Sequence, residues 1–267
     1  MSRMALALSP ERTEYGTAAE ARAAIRAGEW TGPTVFRMPG YLQCNLVVLP
    51  REFAYDFLLF CQRNPKPCPV IEVTDPGDPE PRHSAPGADL RTDLPRYSVY
   101  RDGLLAEEPD DIKSLWRGDL IAFLVGSSLT FDAALERAGV SLDHGVWVLD
   151  TALPLAPSGP FRGTMVVTMR LMPAAQAVVA TQLTARYPFN HGAPVHLGDP
   201  SAIGANLAEP LYGAPLETIP KGLVPVFWAC GVTPQRVALA QGLPFLIAHK
   251  TGHGFITDLR ADQICTP

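Results

Sequence analysis

Apolar positions along this chain follow two patterns. Short, near-continuous apolar runs occur at "LVVLP" (46–50), "VIEV" (70–73), "LIAFLVG" (120–126), "GVWVLD" (145–150), "GTMVVTMRLM" (163–172), "VPVFWA" (224–229) and "PFLIAH" (244–249). Runs of that length, rich in β-branched and aromatic residues, predict strands. Between them, apolar residues recur at helical spacing. "TAAEARAAIRAGEW" opens on Thr17, a residue that caps helix starts, and closes near Gly28. "REFAYDFLLFCQRN" places Phe53, Phe57 and Phe60 on one face, and the helix must stop before the three prolines of "NPKPCP". "PAAQAVVATQLTARY" (173–187) starts on a proline, whose missing N–H costs nothing in a first turn. "TDPGDPEPRHSAPGAD" (74–89) and "FNHGAPVHLGDPSAIG" (189–204) read as loops, the second with room for one short strand, as does the "KTGHGFITD" segment that ends at 258.

Strands that alternate with helices, and that lack clean polar alternation at 121–125 and 224–229, predict an α/β architecture. The expectation is a three-layer αβα unit around a mostly parallel sheet, with a smaller two-layer α+β unit. The regular alternation breaks over 143–220. That segment is therefore expected to be the smaller insertion, and 1–142 with 221–267 the discontinuous three-layer domain.

Composition narrows the class. A chain of 267 residues with 47% hydrophobic and 18% charged residues has the makings of a sizeable core and is globular, not disordered. The net charge is −5, with no basic run, so nucleic acid is not an expected partner. The N-terminal apolar stretch is too short for a signal-peptide core, and no apolar run is long enough to span a membrane. Five cysteines at irregular spacing (44, 61, 68, 230, 265) fit free thiols in a reducing cytoplasm.

Candidate chemistry gathers at joints and loops. "IAFLVGSSLTFDAALERAG" and "VPVFWACGVTPQRVALAQG" share a plan: apolar strand, small-residue turn, a Thr near the helix start, a closing Gly. Each supplies a helix start, whose free N–H groups suit a carboxylate or phosphate. Cys230, Gly231, Thr233 and Gln235 are the candidates at the second joint. Any α/β protein has such joints, and most bind nothing. Four of the six histidines stand in two loops, His191 and His196 with Asp199, and His249 and His253 with Asp258. They are candidates for acid–base work or, less simply, for a zinc or iron site. HxxxH needs a helix to bring both rings to one face, and no HExxH is present, so no metal and no cofactor are expected. "DLRTDLPRY" holds Arg91 and Asp93, and Arg170 ends "TMVVTMR". Each of these arginines suits either a two-pronged grip on a carboxylate or a salt-bridged anchor. No GxSxG, P-loop or GxGxxG motif occurs.

Taken in order, "NPKPCP", "DLRTDLPRY", "GTMVVTMR", "HGAPVHLGDP", "VPVFWACGVTPQ" and "GHGFITD" resemble the D-glutamate cyclase family, whose bacterial members carry a hydro-lyase label. The resemblance runs from about Gly32 to Asp258. It implies loss of water from D-glutamate to give 5-oxo-D-proline, on a fold of one three-layer and one two-layer part. The family pattern often has a Cys in the turn written here "VGSSLTF", and "PGHM" where this chain has "TGHG". The chemistry implied needs a base for the ammonium proton, for which His196 or Asp199 is the candidate. It needs an acid for the departing oxygen, His249 or His253. Arg91, with Asp93, Arg170 and His191, would bind the substrate, and N–H groups from Gly231 to Gln235 with Thr233 would hold an oxyanion or carboxylate. The expected partner is a small dicarboxylate or amino acid, with a homo-oligomer left open. Two rivals stand beside this reading: a metal-dependent hydro-lyase or hydrolase using the His/Asp loops, and a non-enzymatic small-acid-binding subunit of an oxoprolinase or amidase system.

Overall fold

A computed structural model of the chain describes residues 15–35 and 37–266. The described residues form five α-helices and eleven strands in two sheets. In chain order these are α1 (Ala18–Arg26), β1 (Tyr41–Pro50), α2 (Arg51–Arg63), β2 (Val70–Val73), β3 (Tyr97–Arg101), β4 (Leu104–Glu107) and β5 (Leu120–Gly126). They continue with α3 (Asp132–Arg137), β6 (Val146–Pro154), β7 (Thr164–Pro173), α4 (Ala174–Thr184), β8 (His196–Leu197), β9 (Leu223–Ala229), α5 (Val232–Ala240), β10 (Leu246–His249) and β11 (Phe255–Arg260). Thr17 caps α1 in a full capping box with Glu20, as the sequence suggests.

The larger sheet runs β2-β5-β1-β10-β3-β4, with β11 also paired to β1. The smaller runs β6-β7-β9-β8. Every strand pair is antiparallel, which corrects the mostly parallel sheet expected from the sequence. The apolar runs did report burial on both faces, but two-sided burial does not require parallel strands. One face of the larger sheet packs against α2 and α5, through Phe57, Phe60, Val237 and Ala238. The other is covered by irregular chain: Ala85, Ala88, Leu90 and Leu94 pack on Leu46, Val48 and Leu124. The Pro- and Gly-rich stretch is thus a layer of the molecule in place of a second bank of helices. Glu72 holds it, accepting the backbone N–H groups of His83 (2.9 Å) and Ser84 (2.8 Å).

In the smaller sheet, α3 and α4 cover the face bearing Val226 and Trp228. Loop residues around Ile203 and Ala205 cover the face bearing Phe227 and Leu149. β9, which the sequence reading grouped with the first unit, hydrogen-bonds along the length of β7. The chain then returns through α5, which packs against β7, β1 and β10 and so joins the two sheets.

Candidate functional site

One feature of the larger sheet creates a place for chemistry. β1 is paired with β5 along one edge, but along the other it changes partner. Val47 and Val48 pair with β10, whereas Tyr41 to Cys44 pair with β11. Between them lie Asn45 and Leu46, where β10 ends and the 250–254 loop leaves the sheet. The Leu46 N–H, deprived of a carbonyl partner, donates to His249 Nδ1 at 3.2 Å. That bond sets the tautomer: Nδ1 holds the lone pair, so the neutral ring carries its proton on Nε2. Burial, helped by the charge of nearby His253, lowers the His249 pKa to about 4, so the ring is neutral at physiological pH. His253 is the opposite case. Its Nδ1 lies 3.0 Å from the Thr251 carbonyl, so Nδ1 is the donor and Nε2 the lone pair. Its pKa is also lowered, by burial and then by Lys250 and Arg96, with Glu108 opposing. Two neighbouring histidines therefore hold complementary tautomers, one a donor and one an acceptor.

The other side of β1 is polar too. The Asn45 amide donates to the Gly126 carbonyl at 3.2 Å. Gly231 packs directly against that amide, and any side chain at 231 would collide with it. Gln43 donates to the Thr34 carbonyl at 3.1 Å, and Thr34 Oγ1 donates to the Gly254 carbonyl at 3.0 Å, which ties the 250–254 loop to β1. The turn after β5 continues the polar lining. Thr130 accepts the Gln43 N–H, and Asp132 forms a buried ion pair with Arg170. Arg170 is 2% exposed and lies over the rings of Phe131 and Trp228. On the same face of the smaller sheet, Thr168 and Arg170 flank Cys230, whose thiol pKa is raised by burial. Beyond the turn, His191 Nδ1 meets the Lys66 carbonyl at 2.8 Å and the Asn190 amide donates to the Ser127 carbonyl at 2.9 Å.

These buried polar groups, which lie along β1, at the end of β10, in the turns after β5 and β9 and on the facing residues of β7, together make up a polar seam. Among the described residues, six buried side-chain polar atoms lack a hydrogen-bond partner: Gln43 Oε1, Asp132 Oδ2, Arg170 Nε, Asn190 Oδ1, His191 Nε2 and Ser158 Oγ. The first five belong to the seam. Each such atom costs free energy in a closed protein, about 1–3 kcal/mol for a neutral group, so each is a group that a partner would stabilise. The seam's side chains are buried in this conformation, and two surface hollows, of about 390 and 600 Å³, lie elsewhere, beside Ser158 and beside Arg51.

The residues predicted from sequence divide accordingly. His191, His249, His253, Arg170, Cys230 and Gly231 all border the seam. Thr233 lies on α5, but its hydroxyl is spent on β7, bonding both the N–H (3.1 Å) and the carbonyl (3.2 Å) of Val166. Gln235 is buried in the first turn of α5. His196 and Asp199 are not brought to the seam. His196 packs on Phe227, on the opposite face of the smaller sheet from Arg170, and its Nε2 meets the Asp199 carbonyl at 2.8 Å. The Asp199 carboxylate is occupied by Ser201. Arg91 is paired with Asp89 at 2.8 Å, and buried Asp93 with Arg26 at 2.6 Å, so both tie the covering loop in place. Among the described residues no group of three or more His, Cys, Asp or Glu side chains is arranged to hold a metal ion. Gln43, Asn45, Asp132 and Asn190 were not singled out from the sequence. The available signal was two amides inside the otherwise apolar "YLQCNLVVLP".

Two antiparallel sheets joined by a helix, with a buried polar seam, describe the class of molecule. A family model described as D-glutamate cyclase matches residues 121–258. The chain is 54% identical over 249 residues to a protein of Stutzerimonas stutzeri (strain A1501), covering 91% of this chain and 94% of that one. It is 55% identical over 249 residues to one of Rubrobacter xylanophilus, covering 91% and 96%. It is 52% identical over 250 residues to one of Bacillus licheniformis, covering 91% and 95%. All three bear the name "Putative hydro-lyase". This chain belongs to the D-glutamate cyclase family. Among solved structures, a nitrogen repressor-like protein from Methanococcus jannaschii covers 86% of this chain and 90% of that one, at 12% identity and a TM-score of 0.39, too distant to inform function. Among the described residues no helix is long and apolar enough to cross a membrane.

Proposed function

We propose that the protein is a hydro-lyase that closes D-glutamate into 5-oxo-D-proline. The family supplies the reaction class, and one observation supports a site for it: a buried neutral imidazole donor, His249 Nε2–H, stands at the point where β1 exchanges β10 for β11.

The chemistry balances without an oxidant or an external group. The substrate nitrogen forms a bond to the γ-carboxyl carbon, and one C–O bond of that carboxyl breaks. The two protons lost from the ammonium leave with the oxygen as water. His249 Nε2–H, on a neutral ring, is a hydrogen-bond donor that steadies the departing oxygen, and the protons that make it water are those released by the substrate ammonium. A histidine with an open lone pair accepts from nitrogen. Because the seam's side chains are buried, substrate entry requires local opening. The 250–254 loop is the economical place, since its Thr251 is exposed and Gly252 takes a left-handed conformation (φ 82°).

The test is to incubate the purified protein with D- and L-glutamate and separate any 5-oxoproline by chiral chromatography. The expected result is 5-oxo-D-proline from the D-enantiomer, with turnover reduced in His249→Gln. If neither enantiomer yields product at any enzyme concentration, the reaction assigned here is wrong.

A further inference from the structure

The end of the seam at Asn190 and His191 has a chemical character of its own. His191 is 1% exposed. Its Nδ1 faces a carbonyl, so Nδ1 carries the hydrogen and donates it to Lys66, leaving a lone pair on Nε2. That lone pair is buried and has no donor. Asn190 is fully buried, and the same reasoning applies to it: its NH2 is used on the Ser127 carbonyl, and its Oδ1 has no donor. A third acceptor is at hand, since the Gly126 carbonyl lies within reach of the His191 ring. Two of the three, Asn190 Oδ1 and His191 Nε2, lack a donor, while the Gly126 carbonyl already accepts the Asn45 amide.

The backbone is bent to achieve this. His191 adopts φ 75°, a left-handed conformation that costs a non-glycine residue energy. Gly126 packs so tightly under the Phe189 carbonyl that a side chain there would displace the 188–191 turn. A cluster of buried acceptors is the complement of a group that only donates.

We infer that Asn190 Oδ1 and His191 Nε2 form the recognition site for the primary amine of the substrate, so that the seam selects α-amino acids over plain dicarboxylic acids. This rests on the proposed function and specifies its substrate. Among the described residues, His253 Nε2 is not one of the buried atoms that lack a partner, which leaves His191 as the histidine of that kind. Lys66 faces His191 and has no ion-pair partner among the described residues, so it can take the α-carboxylate that accompanies the amine on the same carbon. Burial is the main cause that keeps the His191 ring neutral and its lone pair available; the bond to the Lys66 carbonyl opposes it, and the Lys66 charge assists to a smaller extent.

The experiment compares two ligands that differ only by the amine, D-glutamate and glutarate, on freshly mixed samples by saturation-transfer NMR. Wild-type protein is expected to bind D-glutamate tighter than glutarate by roughly tenfold or more, because a site built around buried acceptors rejects an analogue that leaves them bare. His191→Asn retains a residue that tolerates the left-handed backbone but is too short to place an acceptor at the same point. It is expected to weaken D-glutamate binding by about tenfold and to leave glutarate unchanged. Equal loss of both ligands would mean a merely structural histidine, and no loss of either would remove His191 from the site; each result overturns the inference. Should His191→Asn fail to fold, the wild-type comparison decides alone, since glutarate binding as tightly as D-glutamate overturns it equally. Amine-selective binding without any 5-oxoproline would instead retain this recognition site and reject the cyclisation.

Discussion

Acid should unfold this protein through two particular histidines. His191 and His249 are both buried, and burial holds each at a pKa of about 4 in the folded state. In the unfolded chain each returns to about 6.5. Between those values the unfolded state binds protons that the folded state refuses, so stability is complete above about pH 6.5 and falls progressively toward pH 4. One pKa unit is about 1.36 kcal/mol, so acidification from pH 7 to pH 5 removes about 2 kcal/mol per histidine and about 4 kcal/mol for the pair. That is a large part of a typical stability of about 5–15 kcal/mol. Asp132 works in the opposite direction, because burial raises its pKa and its protonation favours the folded state as pH falls. Comparison with variants cancels that contribution. Urea midpoints at pH 7, 6 and 5 would be measured for wild type, His191→Gln, His249→Gln and the double variant. Each single substitution should remove part of the pH dependence and the double more than either alone, the remainder including His253, whose pKa burial also lowers. If the double variant loses stability between pH 7 and 5 as steeply as wild type, the two rings are not buried and neutral, and the tautomer argument at the seam fails with them.

Other substitutions probe the same construction. Gly231→Ala should displace the Asn45 amide from the Gly126 carbonyl, lowering stability by about 1–3 kcal/mol in thermal melts. Arg170→Met should cost about 3–5 kcal/mol in urea unfolding because it leaves the Asp132 carboxylate buried without its partner, and adding Asp132→Leu should restore much of the loss. Cys230, buried and with its thiol pKa raised, should resist iodoacetamide in the native protein at pH 8, while the more accessible Cys265 is labelled; mass spectrometry of the digest distinguishes them.

How far the sequence could be read depended on what each pattern physically reports. The apolar run at 120–126 reports burial on both faces, and Leu120 to Gly126 is indeed a buried strand. It says nothing of strand direction, which is set by connections that here include long stretches of irregular chain. The same limit hid the role of 74–96. Its prolines and glycines exclude helix and strand, but Ala85, Leu90 and Leu94 still bury completely, because Glu72 and the Asp93–Arg26 pair fix the backbone. Leu104 and Leu105 form a short exposed strand with no periodicity to reveal it.

The seam was half legible for a related reason. Histidines and a cysteine are rare and draw attention, whereas Gln43, Asn45 and Asn190 are common residue types whose significance appears only when they are buried. What the fold adds is a cause for their burial. β1 must exchange β10 for β11 along one edge, and at the exchange a backbone N–H needs a partner that no strand supplies. His249 provides it, and in doing so is fixed as a neutral donor at Nε2. On the other edge, Gly126 and Gly231 are the residues that allow the 188–191 turn and the α5 joint to close against β1. The polar groups are therefore not inserted into a finished core. They occupy the points where β1 exchanges strand partners and where the turns after β5 and β9 close on the sheet.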